Sequence, residues 1–287
     1  MTDNQWVTPP PPRDVTELFP ELEPFRRTTT RLHPRLGTPS VFTSSLGAKP
    51  LWPADEPWPT CPGSHYGTYD EQPVAAVPLL QLFQRDVEQL PFPEGADLLQ
   101  VLWCPRDHAD ERWPAGPKTT LVWRDSAAVS DVIAEVPVTP AHHGRYMLEP
   151  CVLHPEPGVV EYPSGGYFLP DDWTWWDRLD NYDEDDNAAD GVRDMMADLF
   201  EAPGTKVGGW PNYCQGHYWP TCDECGQHVE HLLTVDDAEG DGAYGGRWLP
   251  TGDGSETPDA KDLSGGRMQL FYCPRCPGLP HVQYYDR

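Results

Sequence analysis

The chain of 287 residues is long enough for one large domain or two ordinary domains, each with a hydrophobic core. Its 46 acidic residues outnumber its 20 basic residues and give a formal net charge of −26. This charge opposes sequence-independent binding to nucleic acid or to anionic membranes, and it favours either simple solubility or a basic protein partner.

The N-terminal residues and the cysteine pattern predict a cytoplasmic protein. Met1 to Val7 hold neither a basic region nor an apolar run, and no window approaches 18 uninterrupted apolar residues. The chain has eight cysteines, four of them in Cys-x-x-Cys pairs. Such pairs are typical of metal binding in a reducing compartment rather than of a disulfide framework.

The segment 1–39 is predicted to be an extended arm followed by a short helix. Thr8-Pro-Pro-Pro-Pro12 cannot join a helix or a central strand, because proline has a fixed φ and no N–H donor. Acidic and apolar residues then alternate over 15–27, but Pro20 and Pro24 limit the helix to broken turns. We expect this segment to pack over the edge of a sheet.

Residues 40–165 are predicted to form a first β-rich half. A loop rich in Pro and Trp opens it, and short apolar runs bounded by turn residues follow. The predicted strands are 77–83, 98–104, 119–123, 129–138, 146–153 and 159–162. Their short connections predict an antiparallel meander, so the fold class is α+β with predominantly antiparallel β-structure and few helices.

Residues 166–205 are predicted to link the two halves through an acidic loop and an amphipathic helix. Acidic residues dominate 180–187. Between Asp190 and Ala202, apolar residues recur at helical spacing and predict a helix that Pro203 and Gly204 end.

Two Cys-x-x-Cys pairs mark residues 206–287, the predicted second half. They are Cys222 with Cys225 and Cys273 with Cys276. Two such turns that face each other form the tetrahedron that zinc prefers, at about 2.3 Å per Zn–S bond. We predict one structural Zn²⁺ bound by these four thiolates. Because the ligand set is closed, this metal has no position for water or substrate.

Other interpretations of these cysteines stay open at this level. A thioredoxin-like redox pair would need one Cys-x-x-Cys motif within a βαβ pattern, and the four cysteines could also be unrelated. A nearby histidine could replace one sulfur, and the candidates are His217, His228, His231 and His281. The remaining cysteines are predicted to be small buried hydrophobic residues: Cys61, Cys104, Cys151 and Cys214.

The two halves share a pattern that predicts an internal duplication. Trp58-Pro-Thr-Cys61 corresponds to Trp219-Pro-Thr-Cys222, and Gln100-Val-Leu-Trp-Cys-Pro105 corresponds to Gln269-Leu-Phe-Tyr-Cys-Pro274. In each half a Gly/Trp/Pro loop leads to an apolar strand, an acidic connection and a strand that ends in Cys-Pro. The first half lacks the second cysteine of each pair, so we expect no second zinc there.

Several motifs of the first half resemble the YwqG-like family of uncharacterised bacterial proteins. The residues that carry the resemblance are Gly47-Ala-Lys-Pro-Leu-Trp-Pro53 with Glu56-Pro-Trp-Pro59, Leu79-Leu-Gln-Leu82 with Asp86 and Leu90, and Gly95-Ala-Asp-Leu-Leu-Gln100. The resemblance covers about residues 40–285. It describes packing and loops, and it implies no particular reaction.

The C-terminal half is also similar, more distantly, to the programmed cell death protein 2 family. Gly208-Gly-Trp-Pro211, Cys222-Asp-Glu-Cys225, Leu232-Leu233 and Leu270-Phe-Tyr-Cys273 carry this similarity, although Thr234 stands where that family usually has glutamine. Members of that family act as dedicated chaperones for a basic ribosomal protein. The similarity therefore implies a basic protein partner.

We expect a non-catalytic protein that binds a basic protein, in a chaperone-like or toxin-neutralising role. The chain contains neither an HExxH nor a GxSxG motif, so no zinc-protease or serine-hydrolase signature supports catalysis. The alternative is an enzyme that acts on a small ligand, for example a hydrolase that uses Cys61 or Cys151 as its nucleophile.

Overall fold

A computed structural model of the chain describes residues 6–11, 14–18, 20–62, 65, 73–110, 113–138, 146–163, 200–213, 218–236, 246–251 and 266–286. The predicted acidic loop 180–187 lies outside these residues, as does the predicted helix up to residue 199. Residues 200–202 are described and are not helical.

The described residues form mostly short strands and few helices. Within the described ranges the one α-helix is α1 (Val15–Leu18), and four 3-10 helices cover Pro20–Phe25, Gln84–Asp86, Ser126–Ala128 and Gly246–Trp248. None of the described helices has the length and apolar content needed to span a membrane. The strands are β1 (Arg27–Arg31), β2 (Arg35–Leu36), β3 (Ser45–Leu46), β4 (Thr60–Cys61), β5 (Val74–Ala75), β6 (Val77–Phe83), β7 (Leu98–Trp103), β8 (His108–Asp110), β9 (Trp113–Gly116), β10 (Thr119–Arg124), β11 (Cys151–Val152), β12 (Glu156–Glu161), β13 (Lys206–Gly208), β14 (Glu230–Val235), β15 (Arg267–Tyr272) and β16 (His281–Asp286).

Two six-stranded antiparallel sheets organise these strands. The first sheet has the order β10-β7-β6-β3-β11-β2, and the second has the order β12-β1-β13-β14-β15-β16. Strands β4 and β5 form a separate pair, and so do β8 and β9. The prediction of a predominantly antiparallel β fold with few helices is confirmed.

Four consecutive neighbours occur in the same order in both sheets. β3, β6, β7 and β10 lie side by side in the first sheet, as β13, β14, β15 and β16 do in the second. The register of β6 on β7 shifts around Leu79, and that of β14 on β15 shifts around Leu232. The two sheets therefore agree in strand order and in the position of a β-bulge.

The sheets exchange strands across the predicted segment boundaries. β1 comes from the predicted N-terminal arm and β12 from the predicted first half, yet both lie in the second sheet. The chain runs from the second sheet to the first between β1 and β2, and back again between β11 and β12. Each sheet therefore depends on a strand from a distant part of the chain for its hydrogen bonds.

The apolar faces of the two sheets share one core. Leu80 and Val101 of the first sheet belong to the same buried cluster as Leu233 and Leu270 of the second. All six residues of β7 are buried, which explains why this strand reads as a continuous apolar run in the sequence. The shared core joins the two sheets into one body, since burial of their apolar side chains favours packing.

The N-terminal arm lies against the free edge of the second sheet. Glu156 on edge strand β12 accepts a hydrogen bond from the Thr8 N–H at 2.7 Å and another from the Thr8 hydroxyl at 2.5 Å. The His33 Nε2 atom lies 2.9 Å from the same carboxylate. These contacts attach the arm to the start of the edge strand through the Glu156 side chain.

Two strand predictions in the middle of the chain are wrong in extent. Within 129–138 only Val132 makes a β-bridge, to Pro53, and within 146–153 only β11 is a strand. The Ile133 N–H donates to the Trp52 carbonyl at 2.8 Å. The backbone of 129–138 therefore bonds to the Pro/Trp-rich loop instead of a neighbouring strand.

We expect Gly47→Ala to destabilise the fold more than Gly95→Ala. Both glycines have positive φ, +65° and +82°, which costs another residue about 1–2 kcal/mol. A Cβ on Gly47 would also lie 2.9 Å from the Leu148 Cβ and the Glu149 carbonyl oxygen, whereas one on Gly95 would meet nothing within 4 Å. Urea unfolding of both variants measures the difference, and equal losses would contradict the close packing at Gly47.

Candidate metal centres

The first Cys-x-x-Cys turn lies just before β14. The Gly226 N–H donates to the Cys222 carbonyl at 2.8 Å, and the Cys222 N–H donates to the Gln227 carbonyl at 2.8 Å. Gly226 has a φ of +70°, which favours glycine and lets the chain reverse after Cys225. These bonds close a tight loop that holds both sulfur atoms on one side.

The second turn directly follows β15 and connects it to β16. The Cys273 N–H donates to the Pro280 carbonyl at 2.9 Å, and the Leu279 N–H donates to the Cys276 carbonyl at 3.2 Å. Because β14 and β15 are antiparallel, the start of one lies beside the end of the other, with Glu230 opposite Tyr272. The pairing therefore brings the two turns to the same end of the second sheet.

The structure brings the four predicted sulfur atoms together. The Sγ atoms of Cys222 and Cys276 lie 3.9 Å apart, and those of Cys225 and Cys273 lie 3.6 Å apart. Four thiolates around one zinc ion at about 2.3 Å would have sulfur–sulfur separations of about 3.8 Å. None of these cysteines forms a disulfide. The group can therefore hold one metal ion with tetrahedral geometry.

The two turns share an apolar base, and in each turn the first cysteine is more buried than the second. Cys222 and Cys273 are buried and pack with Val229, Phe271 and Val282. Burial raises the pKa of the Cys273 thiol, but hydrogen bonds from the backbone of Arg275 and Cys276 and from the Cys225 and Cys222 thiols together lower it more, to about 7. In the same group, the hydrogen bond with Cys225 is the main cause that raises the pKa of the Cys276 thiol. Donors aimed at a sulfur atom favour its thiolate form, which is the form that binds metal.

The nearby histidines do not replace a sulfur in the part of the chain that the structure describes. His228 is exposed, and the other two described candidates bond elsewhere. The Nδ1 atom of His231 lies 2.9 Å from the Gly208 carbonyl, and the Nε2 atom of His281 lies 3.2 Å from the Thr119 hydroxyl. His217 lies outside the described residues. Among the described residues, the group that could hold a metal here consists of the four cysteines.

A second group with metal-ligand chemistry lies in the first half, where no metal was predicted. It consists of Cys61, His65, Cys104 and His108, whose potential ligand atoms lie within 4.8 Å of one another. The sequence pattern that could have predicted this group is Cys-x-x-x-His, which occurs at Cys61 with His65 and again at Cys104 with His108. The histidine stands four residues after the cysteine, one position beyond the place of the second cysteine in a Cys-x-x-Cys pair.

Burial keeps His108 in its neutral form. Burial, and then the nearby charge of His65, lower the pKa of the His108 imidazole to about 4. Burial, and then the neighbouring Cys61 thiol, raise the pKa of Cys104 to about 12 in the absence of metal. Neutral imidazole is the ligand form of histidine, and a bound cation would reverse the preference of the thiol.

Of the two cysteines considered as hydrolase nucleophiles, Cys151 is a neutral buried thiol. It donates to the Glu149 carbonyl at 3.3 Å. Burial, and then the charge of Glu149, raise its pKa to about 11. A nucleophilic cysteine instead needs a lowered pKa and a partner base. Cys61 belongs to the second group of potential ligands.

One described cavity is separate from both cysteine groups. It has a volume of about 470 Å³ and lies beside the N-terminal arm, where Arg26, Glu156, Tyr162 and Arg247 contribute polar side chains. No cysteine or histidine is among its described lining residues.

A scan against protein-family models and a search of curated proteins both found no match to this chain.

Proposed function

We propose that the protein is a non-catalytic binding module whose second half is stabilised by one Zn²⁺ ion bound to Cys222, Cys225, Cys273 and Cys276. The convergence of four sulfur atoms carries this proposal. Four thiolates fill the coordination sphere of zinc, so the ion has a structural role and does not activate water.

Zinc is the metal that best suits four thiolates in this arrangement. Tetrahedral sulfur coordination is typical of zinc and of iron–sulfur sites, whereas calcium and magnesium require oxygen ligands. Each turn offers its two sulfur atoms to one point, and their separations fit a single ion. A cytoplasmic location would suit this site, because a reducing compartment keeps thiols free for metal.

We also infer that the two halves arose by internal duplication, and that the chain is related to the YwqG-like family. The matched order of four strands in each sheet supports the duplication. The buried polar pairs support it too, because Gln100 lies opposite Gln81 in the first sheet and Gln269 lies opposite Thr234 in the second. Gln81 and Thr234 occupy corresponding places in the sequence repeat.

The proposed partner is a basic protein. A net charge of −26 would accelerate its association and would repel nucleic acids and anionic membranes. Phe42 and Leu36 are 59% and 58% exposed and could serve as apolar anchors within such an interface. A chaperone-like role and a toxin-neutralising role both require this combination of charge and apolar contact.

Capture from native lysate at low and high salt tests the partner proposal. The Debye length falls from about 10 Å at 0.1 M salt to about 3 Å at 1 M, so a charge-steered partner should be retained only at low salt. An unrelated folded protein of equal net charge is the control for nonspecific retention. The partner should then bind in purified form, and it should bind the Leu36→Ser/Phe42→Ser variant more weakly.

The alternative is an enzyme that acts on a small ligand. The cavity beside the N-terminal arm is the observation that favours it, because it places Arg26 and Arg247 near Asp14 and Tyr162. Retention of the same proteins by the acidic control, together with specific binding of a small molecule at this cavity, would replace the partner proposal with this one.

A further inference from the structure

The geometry points to a second zinc site in the first half of the protein, formed by Cys61, His65, Cys104 and His108. This inference goes beyond the single zinc ion of the proposed function and does not depend on a partner protein. The site would take one divalent ion of zinc-like chemistry, held by two thiolates and two imidazoles.

The fold places the four residues by the same strand pairing that forms the first centre. Cys104 directly follows β7, as Cys273 directly follows β15. Cys61 precedes β6 along the chain, as Cys222 precedes β14. Cys61 on β4 lies opposite Val74 on β5, which leads directly into β6. β6 and β7 are antiparallel, with Val77 opposite Trp103, so the start of β6 lies beside the end of β7 that precedes Cys104.

The two histidines reach the same point through a local pairing of their own. His65 and His108 form an isolated antiparallel β-bridge. Their rings lie 4.9 Å apart between centroids and are tilted by 70°. Each histidine lies four residues after a cysteine, so each segment supplies one sulfur and one nitrogen atom.

The distances between potential ligand atoms fit tetrahedral coordination. The Cys61 Sγ lies 3.6 Å from the His108 Nε2, and the Cys104 Sγ lies 3.4 Å from the His65 Nε2. A zinc ion with Zn–S bonds of about 2.3 Å and Zn–N bonds of about 2.0–2.1 Å would place sulfur and nitrogen about 3.5 Å apart. Both close pairs use Nε2, and each joins a cysteine of one segment to a histidine of the other.

A metal explains this convergence better than a disulfide or a catalytic dyad does. Cys61 and Cys104 are both free. A cysteine–histidine dyad needs one thiolate, one base and access for the substrate. Here two thiols and two imidazoles converge, and Cys104 and His65 are only 3% and 7% exposed. Four such side chains around one point form the closed set of a structural Cys₂His₂ site.

The two centres differ in charge. Four thiolates with one Zn²⁺ carry a formal charge of −2, whereas two thiolates and two neutral imidazoles with Zn²⁺ carry none. The second centre can therefore lie among partly buried side chains without the cost of a net charge. The ligand difference also gives the two centres distinct spectroscopic signatures.

X-ray absorption at the zinc edge and elemental analysis of the unmodified protein test the inference first. We expect two zinc ions per chain and a mean first shell of about three sulfur atoms and one nitrogen atom, the average of a Cys₄ and a Cys₂His₂ site. One zinc ion per chain with four sulfur ligands would overturn the second site and leave the proposed Cys₄ centre intact. One zinc ion with a mixed shell would overturn the Cys₄ proposal instead.

Variants then assign each ion to its centre. His65→Gln/His108→Gln should lose one zinc ion per chain and leave a shell of sulfur alone. Cys225→Ser/Cys276→Ser should lose the other ion and leave a mixed shell. Cys151→Ser is the matched control outside both groups and should keep two ions. Retention of both ions by a folded His65→Gln/His108→Gln variant would overturn the assignment of the histidines.

Discussion

Cys222→Ser should lower the free energy of unfolding on the order of 5 kcal/mol, because a structural metal contributes its binding energy directly to folding. The substitution removes one of four ligands at a point where two loops and the ends of two strands meet. Urea unfolding in buffer with zinc measures the loss, and elemental analysis should show one zinc ion fewer per chain.

Cys151→Ser is the matched control for this experiment. Cys151 and Cys222 are 1% and 3% exposed, so both substitutions bury a hydroxyl in place of a thiol. Serine at position 151 can keep the hydrogen bond to the Glu149 carbonyl, and the expected loss is only about 1 kcal/mol. Equal losses for the two variants would show that Cys222 contributes only its packing.

Glu161→Gln should destabilise the protein by about 3–5 kcal/mol, because it leaves the ammonium group of Lys206 buried without its counter-charge. The Lys206 Nζ and the Glu161 Oε2 lie 2.8 Å apart, and both side chains are fully buried. Burial lowers the pKa of Lys206, and the charge of Glu161 opposes this shift. The carboxylate also accepts hydrogen bonds from the backbone N–H groups of Ala202 and Trp210.

Two further variants separate charge from packing at this pair. Glu23→Gln removes an exposed ion pair with Arg26, at 4.0 Å, and should change stability by less than about 1 kcal/mol. Glu161→Gln/Lys206→Met removes both buried charges and should recover part of the loss, as measured by urea unfolding. A double variant no more stable than Glu161→Gln would show that the backbone contacts of the carboxylate, rather than the buried charge, determine its contribution.

Local patterns in the sequence were sufficient to predict several central features. The strands predicted over 77–83 and 98–104 follow from apolar runs bounded by turn residues, and the structure confirms both, with the second ending at Trp103. The convergence of Cys222 with Cys225 within one turn follows from their spacing alone. Such features depend on neighbours within a few residues, so the sequence can reveal them without the fold.

Tertiary structure decided the features that depend on distant residues. No local signal indicates that β1 lies between β12 and β13, because backbone hydrogen bonding between strands does not depend on side-chain identity. The pairing of Glu161 with Lys206 depends on the same exchange of strands, which brings β12 and β13 to either side of β1.

The second group of potential ligands depends partly on local sequence patterns and partly on tertiary structure. The sequence pattern by itself predicted that Cys61 and Cys104 correspond to Cys222 and Cys273. Only the fold brought His65 and His108 to those cysteines, because a ligand at the fourth position depends on the path of its loop and on the bridge between the two histidines. Spacing places two potential ligands together within one turn, and in both groups strand pairing decides which segments meet to complete the set of four.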